Sequence, residues 1–320
     1  MKKKVLVARK TFADISARLA EHFEVEINEA DTVWPQDELI RRLQGKAGVF
    51  ITGSEKIDAK LLDACPELKA VCTMAVGYNN IDVPACTARG VRVSNAPDVL
   101  TETTADFGFA LMMATARRIT ESEHFLRRGD WQNWSVDLFA GSDIHGATLG
   151  ILGMGRIGQA IARRGALGFG MPVIYHNRSR LAPELEAPLK AQWVEKDELL
   201  KRADHLVLVL PYSPAAHHNI GERELALMKP TATLTNIARG GIVDDAALIR
   251  ALTRKQIAAA GLDVFEGEPR FDPAFLALSN VVLTPHIASS SIPTRRAMSN
   301  LAVDNLIAAL TGGAMLTPLN

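Results

Sequence analysis

The sequence is poor in cysteine, in net charge and in long apolar runs. Its 320 residues include three cysteines, Cys65, Cys72 and Cys86. They are odd in number and lack metal-ligand spacing. They read as idle thiols in a reducing compartment, so no disulfide scaffold and no metal centre is expected. Basic and acidic residues balance at 36 each, and nothing in that balance points to nucleic acid or an anionic membrane as a partner. No stretch approaches the roughly 18–20 apolar residues of a membrane helix. Lys2-Lys3-Lys4 is followed only by Val5-Leu6-Val7-Ala8 before Arg9-Lys10. That apolar core is too short for a signal peptide, and the segment reads as a first strand of a cytoplasmic protein. Internal repeats and low-complexity segments are absent as well.

What is there is an ordinary globular composition, 48% apolar and 22% charged, on a chain long enough for two cores. Its organising stretch runs from Thr148 to Arg164. The apolar run Leu149 to Leu152 stops at Gly153-Met154-Gly155-Arg156-Ile157-Gly158, and Ile157, Ala160 and Ile161 then recur at helical spacing. This is strand, glycine turn, helix. The first glycine permits the turn, the second lets backbone approach a pyrophosphate, and the third lets the helix pack close to the strand. Free N–H groups and the dipole at the helix start favour phosphate. A second strand at 173–176 completes a βαβ unit.

The rest of the chain alternates in the same way. Strands are predicted at 4–8, 25–27, 48–52, 69–72 and 91–94, with helices over 12–22, 35–43, 58–65 and 83–89. Beyond the glycine turn, strands are predicted at 205–210, 232–236, 259–263 and 281–284, with helices over 196–202, 222–227 and 244–253. Alternation of this kind argues parallel sheets covered on both faces. Between the two sets, 101–128 reads as one long helix, apolar nearly all round at its front and therefore buried. The last helix, about 293–310, has no strand after it and is better placed if it packs back on the first domain.

Ligands of open parallel sheets bind beyond the carboxyl ends of the strands. Asn236-Ile237-Ala238-Arg239-Gly240-Gly241 follows one such strand, Asp263 closes the next with Glu268 in the loop beyond, and Thr284-Pro285-His286 ends the last. An arginine, a carboxylate and a histidine could thus meet near the glycine turn. His217-His218 has no motif around it and reads as surface.

GMGRIG, NIARGG, GLDVFEGEP and TPHIAS, in this order and spacing, resemble the D-2-hydroxyacid dehydrogenases, most nearly the glyoxylate/hydroxypyruvate reductases, including those acting on 2-ketogluconate. VGYNNID at 76–82 and VLTETTAD at 99–106 extend the likeness over essentially the whole chain, while Ala288 and Ser290 depart from the commoner HIGSAT pattern. The resemblance implies two doubly wound α/β domains. A Rossmann domain (99–286) binds NAD(P) and is inserted into a flavodoxin-like substrate domain (1–98 and 287–320), with the active site in the cleft. It implies that Arg239 grips the substrate carboxylate and keto oxygen. It implies that His286 exchanges a proton with that oxygen, and that Glu268 orients the ring and stabilises its cation. Backbone N–H groups of Val76 and Gly77 would hold the carboxylate. Asp263 would fix the nicotinamide carboxamide, and Thr104, Leu210, Pro211, Ile237, Ala238 and Arg239 would line the cofactor. A homodimer is implied, with Trp134 reaching the neighbour's site.

Cofactor choice can be read from the residues. NAD enzymes end the second strand of the βαβ unit in an acid that bonds the ribose. Here 173–176 runs into Asn177-Arg178-Ser179-Arg180, a cofactor-binding stretch with no acid, in which Arg178 offers a fork of donors to a 2′-phosphate and Ser179 adds a hydroxyl. NADP is therefore expected to be preferred over NAD. The competing readings are a dinucleotide-sensing corepressor and a phosphoglycerate-type dehydrogenase, whose acidic ribose site NRSR does not match.

Overall fold

The computed structural model describes residues 2–320, which fall into two compact units, 2–100 with Ser291–Asn320, and Thr101–Ser290. In the first unit, five short strands are paired in parallel: β1 (Lys4–Val7), β2 (Glu24–Ile27), β3 (Gly48–Ile51), β4 (Ala70–Thr73) and β5 (Arg92–Ser94). Their order is β2-β1-β3-β4-β5, the flavodoxin-like arrangement. β1, β3 and β4 are almost wholly apolar and buried, as a parallel sheet covered on both faces requires. The helix Ile292–Thr311 packs on this sheet. A Cβ at Gly48 would stand 2.8 Å from the δ-carbons of Leu306 and Leu310, so glycine there lets helix and strand approach. Arg18 fastens the helix to Ala13–His22 through Asn300 and Asp304.

The second unit holds seven parallel strands: β6 (Leu149–Leu152), β7 (Val173–His176), β8 (Gln192–Trp193), β9 (His205–Leu208), β10 (Thr233–Asn236), β11 (Ala259–Leu262) and β12 (Val281–Leu283). The order β12-β11-β10-β9-β6-β7-β8 grows one way from β6 through β8 and the other way from β9. The reversal between β6 and β9 is the topological switch point of a doubly wound sheet. The helix Thr101–Ala116 lies on this sheet, where a Cβ at Gly261 would be 2.4 Å from Thr115 Oγ1.

The structure differs from the expected elements in two places. The helix expected over 101–128 is two, Thr101–Ala116 and Ile119–Arg127. The Ala116 carbonyl accepts the Ser142 N–H at 2.9 Å, and Arg118 turns left-handed at φ 53°. Arg118 is kept there by its ion pair with Glu121 and by stacking over Phe139. Strand β8, unexpected, is a two-residue edge strand too short to show periodicity. The two units part at 290/291. Asp263 accepts the N–H groups of Ile287 and Ala288, which keeps those residues with the second unit.

One junction under the second sheet should be measurable. Asp204 accepts Thr148 N–H at 2.8 Å and Lys229 Nζ at 2.7 Å, joining the residues just before β6, β9 and β10. Burial pushes its carboxyl up, but the hydrogen bonds from Lys229 and Thr148 outweigh this and hold it below the ordinary 3.8. An acid lowered on folding stabilises fully above its unfolded value, and that contribution is lost as pH falls through the folded value. Asp204→Ala should therefore cost about 1–3 kcal/mol at pH 7, discounted for the solvent around Lys229. The gap to wild type in urea melts should close only below the ordinary 3.8. A gap unchanged there would mean the loss was packing alone.

Candidate active site

The chemistry-bearing residues of the second unit gather at the carboxyl edge of its sheet, about the switch point. Gly153 leaves β6 at φ 104°, and a Cβ there would stand 2.6 Å from Leu210 N. Only glycine lets the turn pass the segment leaving β9, and so Leu210 and Pro211 flank the glycine turn. Gly155 caps the helix Arg156–Arg163 with no side-chain cap and open space where its Cβ would be. A Cβ at Gly158 would meet the Gly153 carbonyl oxygen at 2.4 Å. Backbone donors at a helix start, reachable over a bare glycine, fit a dinucleotide phosphate. Thr104 adds a second sign of fit. It is buried on Thr101–Ala116, and its Oγ1 has no partner among the described residues.

At the end of β7, Asn177 Oδ1 accepts the Met154 N–H at 2.7 Å, which fixes the amide so that Nδ2 is the group left for a ligand. Trp193 Nε1 donates to the Asn177 carbonyl, so the unforeseen β8 supports this corner. Arg178 and Ser179 are exposed, and no ion pair engages Arg178 among the described residues. Arg180 differs: its guanidinium forks onto the buried carboxylate of Glu186, which also accepts the Tyr175 hydroxyl. Of the two arginines in the cofactor-binding stretch, Arg180 is engaged in the unit's own structure.

On the other side of the switch point, Asn236 at the end of β10 orders the next turn by accepting Ala238 N–H. Ile237 and Ala238 are buried, and Arg239 Nη1 donates to the Ala238 carbonyl at 2.8 Å. The remaining guanidinium donors have no partner among the described residues. Burial pulls the Arg239 guanidinium below its ordinary value, and the Glu268 charge opposes this. Gly240 presses this turn against the loop beyond β11: a Cβ there would overlap the Phe265 carbonyl oxygen at 1.7 Å.

That loop carries Glu268. Oε1 accepts Phe265 N–H at 2.8 Å, and Oε2 meets His286 Nδ1 at 2.7 Å. Burial raises the Glu268 carboxyl, but His286, the Phe265 amide and the Arg239 charge outweigh it and hold the group below its ordinary value. With Nδ1–H donated to that carboxylate, Nε2 is the ring atom free to exchange a proton. His286 has φ 54°, uncommon for a non-glycine residue although histidine is among those that adopt it, and its N–H is bonded to the carbonyls of Asp263 and Thr284.

Asp263 explains how that backbone is kept. It has no accessible surface, and its carboxylate accepts Thr284 Oγ1 at 2.7 Å, Ile287 N–H at 2.8 Å and Ala288 N–H at 2.9 Å. Burial pushes this carboxyl up, and those donors pull back only part of the rise. What Asp263 holds is the 284–288 turn. Sequence reasoning missed this anchoring role, although an acid at a strand end followed 21–25 residues later by its donors leaves no local signal.

In the first unit, Val76 and Gly77 lie in the partly buried loop after β4, where the Val76 carbonyl accepts from Asn95 Nδ2. Trp134 is 73% exposed in the loop between Ile119–Arg127 and β6, in company with Trp131 and Val136.

The family profile of the D-isomer specific 2-hydroxyacid dehydrogenase, NAD binding domain, matches residues 109–288. A glyoxylate reductase of Thermococcus gammatolerans is 46% identical over all of this chain and 96% of its own length. Glyoxylate/hydroxypyruvate reductase B of Klebsiella pneumoniae is 44% identical over 98% of this chain and 96% of its own. The crystal structure of an NADPH-dependent glyoxylate/hydroxypyruvate reductase from Sinorhizobium meliloti, in complex with NADP and malonate, superposes with a TM-score of 0.87. It is 35% identical and covers 100% of this chain and 97% of that one. With a carboxylate–histidine pair and an open arginine at the edge of a dinucleotide-type sheet, the chain belongs to the D-isomer specific 2-hydroxyacid dehydrogenase family.

Proposed function

We propose that this chain reduces glyoxylate and hydroxypyruvate to the corresponding 2-hydroxy acids, with NADPH preferred over NADH. The observation that carries the reading is the Glu268–His286 pair at 2.7 Å, with Nε2 free, at the sheet edge that also bears Arg239. When bound, the reduced nicotinamide supplies the hydride to the carbonyl carbon. His286 Nε2 gives its proton to the keto oxygen, and in oxidation takes it back. Glu268 orients the ring and stabilises the cation it forms. Arg239 offers a planar fork to the carboxylate and the keto oxygen, a task its unpartnered donors suit. Val76 and Gly77 would add backbone N–H donors to the carboxylate. Stoichiometric oxidation of NADPH by glyoxylate or hydroxypyruvate tests the activity, and no turnover with either acid would overturn it. Extending the panel to 2-ketogluconate, ranked by kcat/KM, would say whether that longer acid is also a substrate.

The cofactor preference rests on Asn177, Arg178 and Ser179. An acid at Asn177 would repel a 2′-phosphate, whereas the free Nδ2 donates to one. Arg178 supplies the charge, because Arg180 is already held by Glu186. Removing one charge-assisted contact costs roughly 1.5–3 kcal/mol, about ten- to a hundredfold in affinity. Arg178→Ala should raise the KM for NADPH by that factor and leave NADH kinetics nearly unchanged. Equal losses with both cofactors would remove Arg178 from phosphate recognition.

We further propose a cytoplasmic homodimer in which Trp134 reaches the partner subunit. Support comes from Trp131, Trp134 and Val136, large apolar side chains more than half exposed on one loop. Sedimentation at micromolar concentration would show a monomer if this is wrong.

A further inference from the structure

The loop after β9 meets the loop after β11 at residues other than the Glu268–His286 pair. His217 and His218 stack with ring centroids 3.9 Å apart and planes at 21°. His218 Nε2 lies 3.1 Å from Glu266 Oε2, and His217 Nε2 lies 4.0 Å from Glu266 Oε1. One ligand atom from each residue falls within 4.8 Å of the others, the one such grouping of three among the described residues. Among the described residues, no lysine or arginine pairs with Glu266. His217 Nδ1 is 3.3 Å from the Tyr212 hydroxyl. If that nitrogen carries the hydrogen, Nε2 presents a lone pair towards Glu266, the outer-shell arrangement metal-ligating histidines use. The backbone is committed to the arrangement as well. His218 is left-handed at φ 50° with its N–H on the Gly241 carbonyl, and a Cβ at Gly241 would stand 3.1 Å from His217 Nδ1.

We propose that His217, His218 and Glu266 form a surface site for a divalent transition metal of the zinc class. Two imidazoles and a carboxylate suit zinc, and the half-exposed setting leaves a fourth position to water. Bonds of about 2.0–2.1 Å put tetrahedral ligand atoms roughly 3.3 Å apart. The His218–Glu266 distance meets this already, whereas the stacked His217 ring, 4.0 Å from Glu266, must swing out of the stack for both lone pairs to point at one ion. Bound metal would clip the His217-His218 turn to the loop that carries Glu268 two residues on.

The test is calorimetric titration of the full chain with zinc chloride, supported by visible absorption with cobalt(II). One equivalent per chain is expected in wild type, with the strong bands of tetrahedral cobalt. His218→Ala and the conservative Glu266→Gln should each weaken zinc binding tenfold or more, with melting in the absence of metal confirming that both fold. His286→Ala should bind as wild type does. No stoichiometric uptake by wild type, unchanged affinity in both loop variants, or loss of binding in His286→Ala would each overturn the proposal, the last by assigning the metal to the catalytic pair.

Discussion

Replacing His286 by alanine should lower kcat for ketone reduction by roughly 10²–10⁴-fold, the range of general acid catalysis, with little change in the KM for NADPH. The expectation rests on division of labour within one ring. Nδ1 is committed to Glu268 at 2.7 Å, so Nε2 is the only nitrogen left to deliver a proton. Alanine removes both functions, and it also places a Cβ residue without polar atoms at φ 54°. His286→Asn separates the two effects, because asparagine tolerates left-handed backbone but cannot serve as the acid. Both variants should melt near wild type and both should fail in turnover. Near-normal kcat in a folded variant would take His286 out of the mechanism.

Asp263→Asn should have the next largest effect, and it acts on stability and rate together. An aspartate accepts at both oxygens, and here both are used by the 284–288 turn. An amide can accept at one only, so its NH₂ must face a backbone N–H in a fully buried place. Leaving buried donors unmatched costs about 2–5 kcal/mol. The turn that loses its anchor carries His286, so kcat should fall even at temperatures where the protein stays folded. Asp263 acts through His286, so the KM for NADPH should hold nearly steady while kcat drops. A rise in that KM with kcat intact would instead mark Asp263 as a direct contact for the nicotinamide carboxamide.

Local signals in the sequence carried the alternation of elements and the glycine turn, because strand period, helix period and glycine at 153, 155 and 158 all act within about a dozen residues. The end of the helix at Ala116 was illegible for the opposite reason. Its carbonyl is claimed by Ser142, which no window on the helix includes. The residue types at the strand ends announced a site, and the family resemblance supplied their roles. The Glu268–His286 contact joins residues 18 apart through two loops, and only the folded sheet edge shows it. Val76 and Gly77 would have passed for an ordinary turn. The hold of Glu186 on Arg180, six residues on, is a contact that residue types alone do not announce.

The helix Ile292–Thr311 has a consequence for synthesis on the ribosome. It packs on strands made some two hundred residues earlier, and the segment beyond it is bonded there too, with Leu319 N–H on the Val93 carbonyl and Asn320 on Val91. The first unit therefore emerges early and waits, with the sheet face about Gly48 uncovered until that helix has been made. The second unit is one continuous stretch and can close while the chain is still growing. Such a waiting apolar face is where nascent chains associate wrongly. Slow elongation through the second unit, before Ile292–Thr311 is made, should thus burden this protein more than slow elongation ahead of β1.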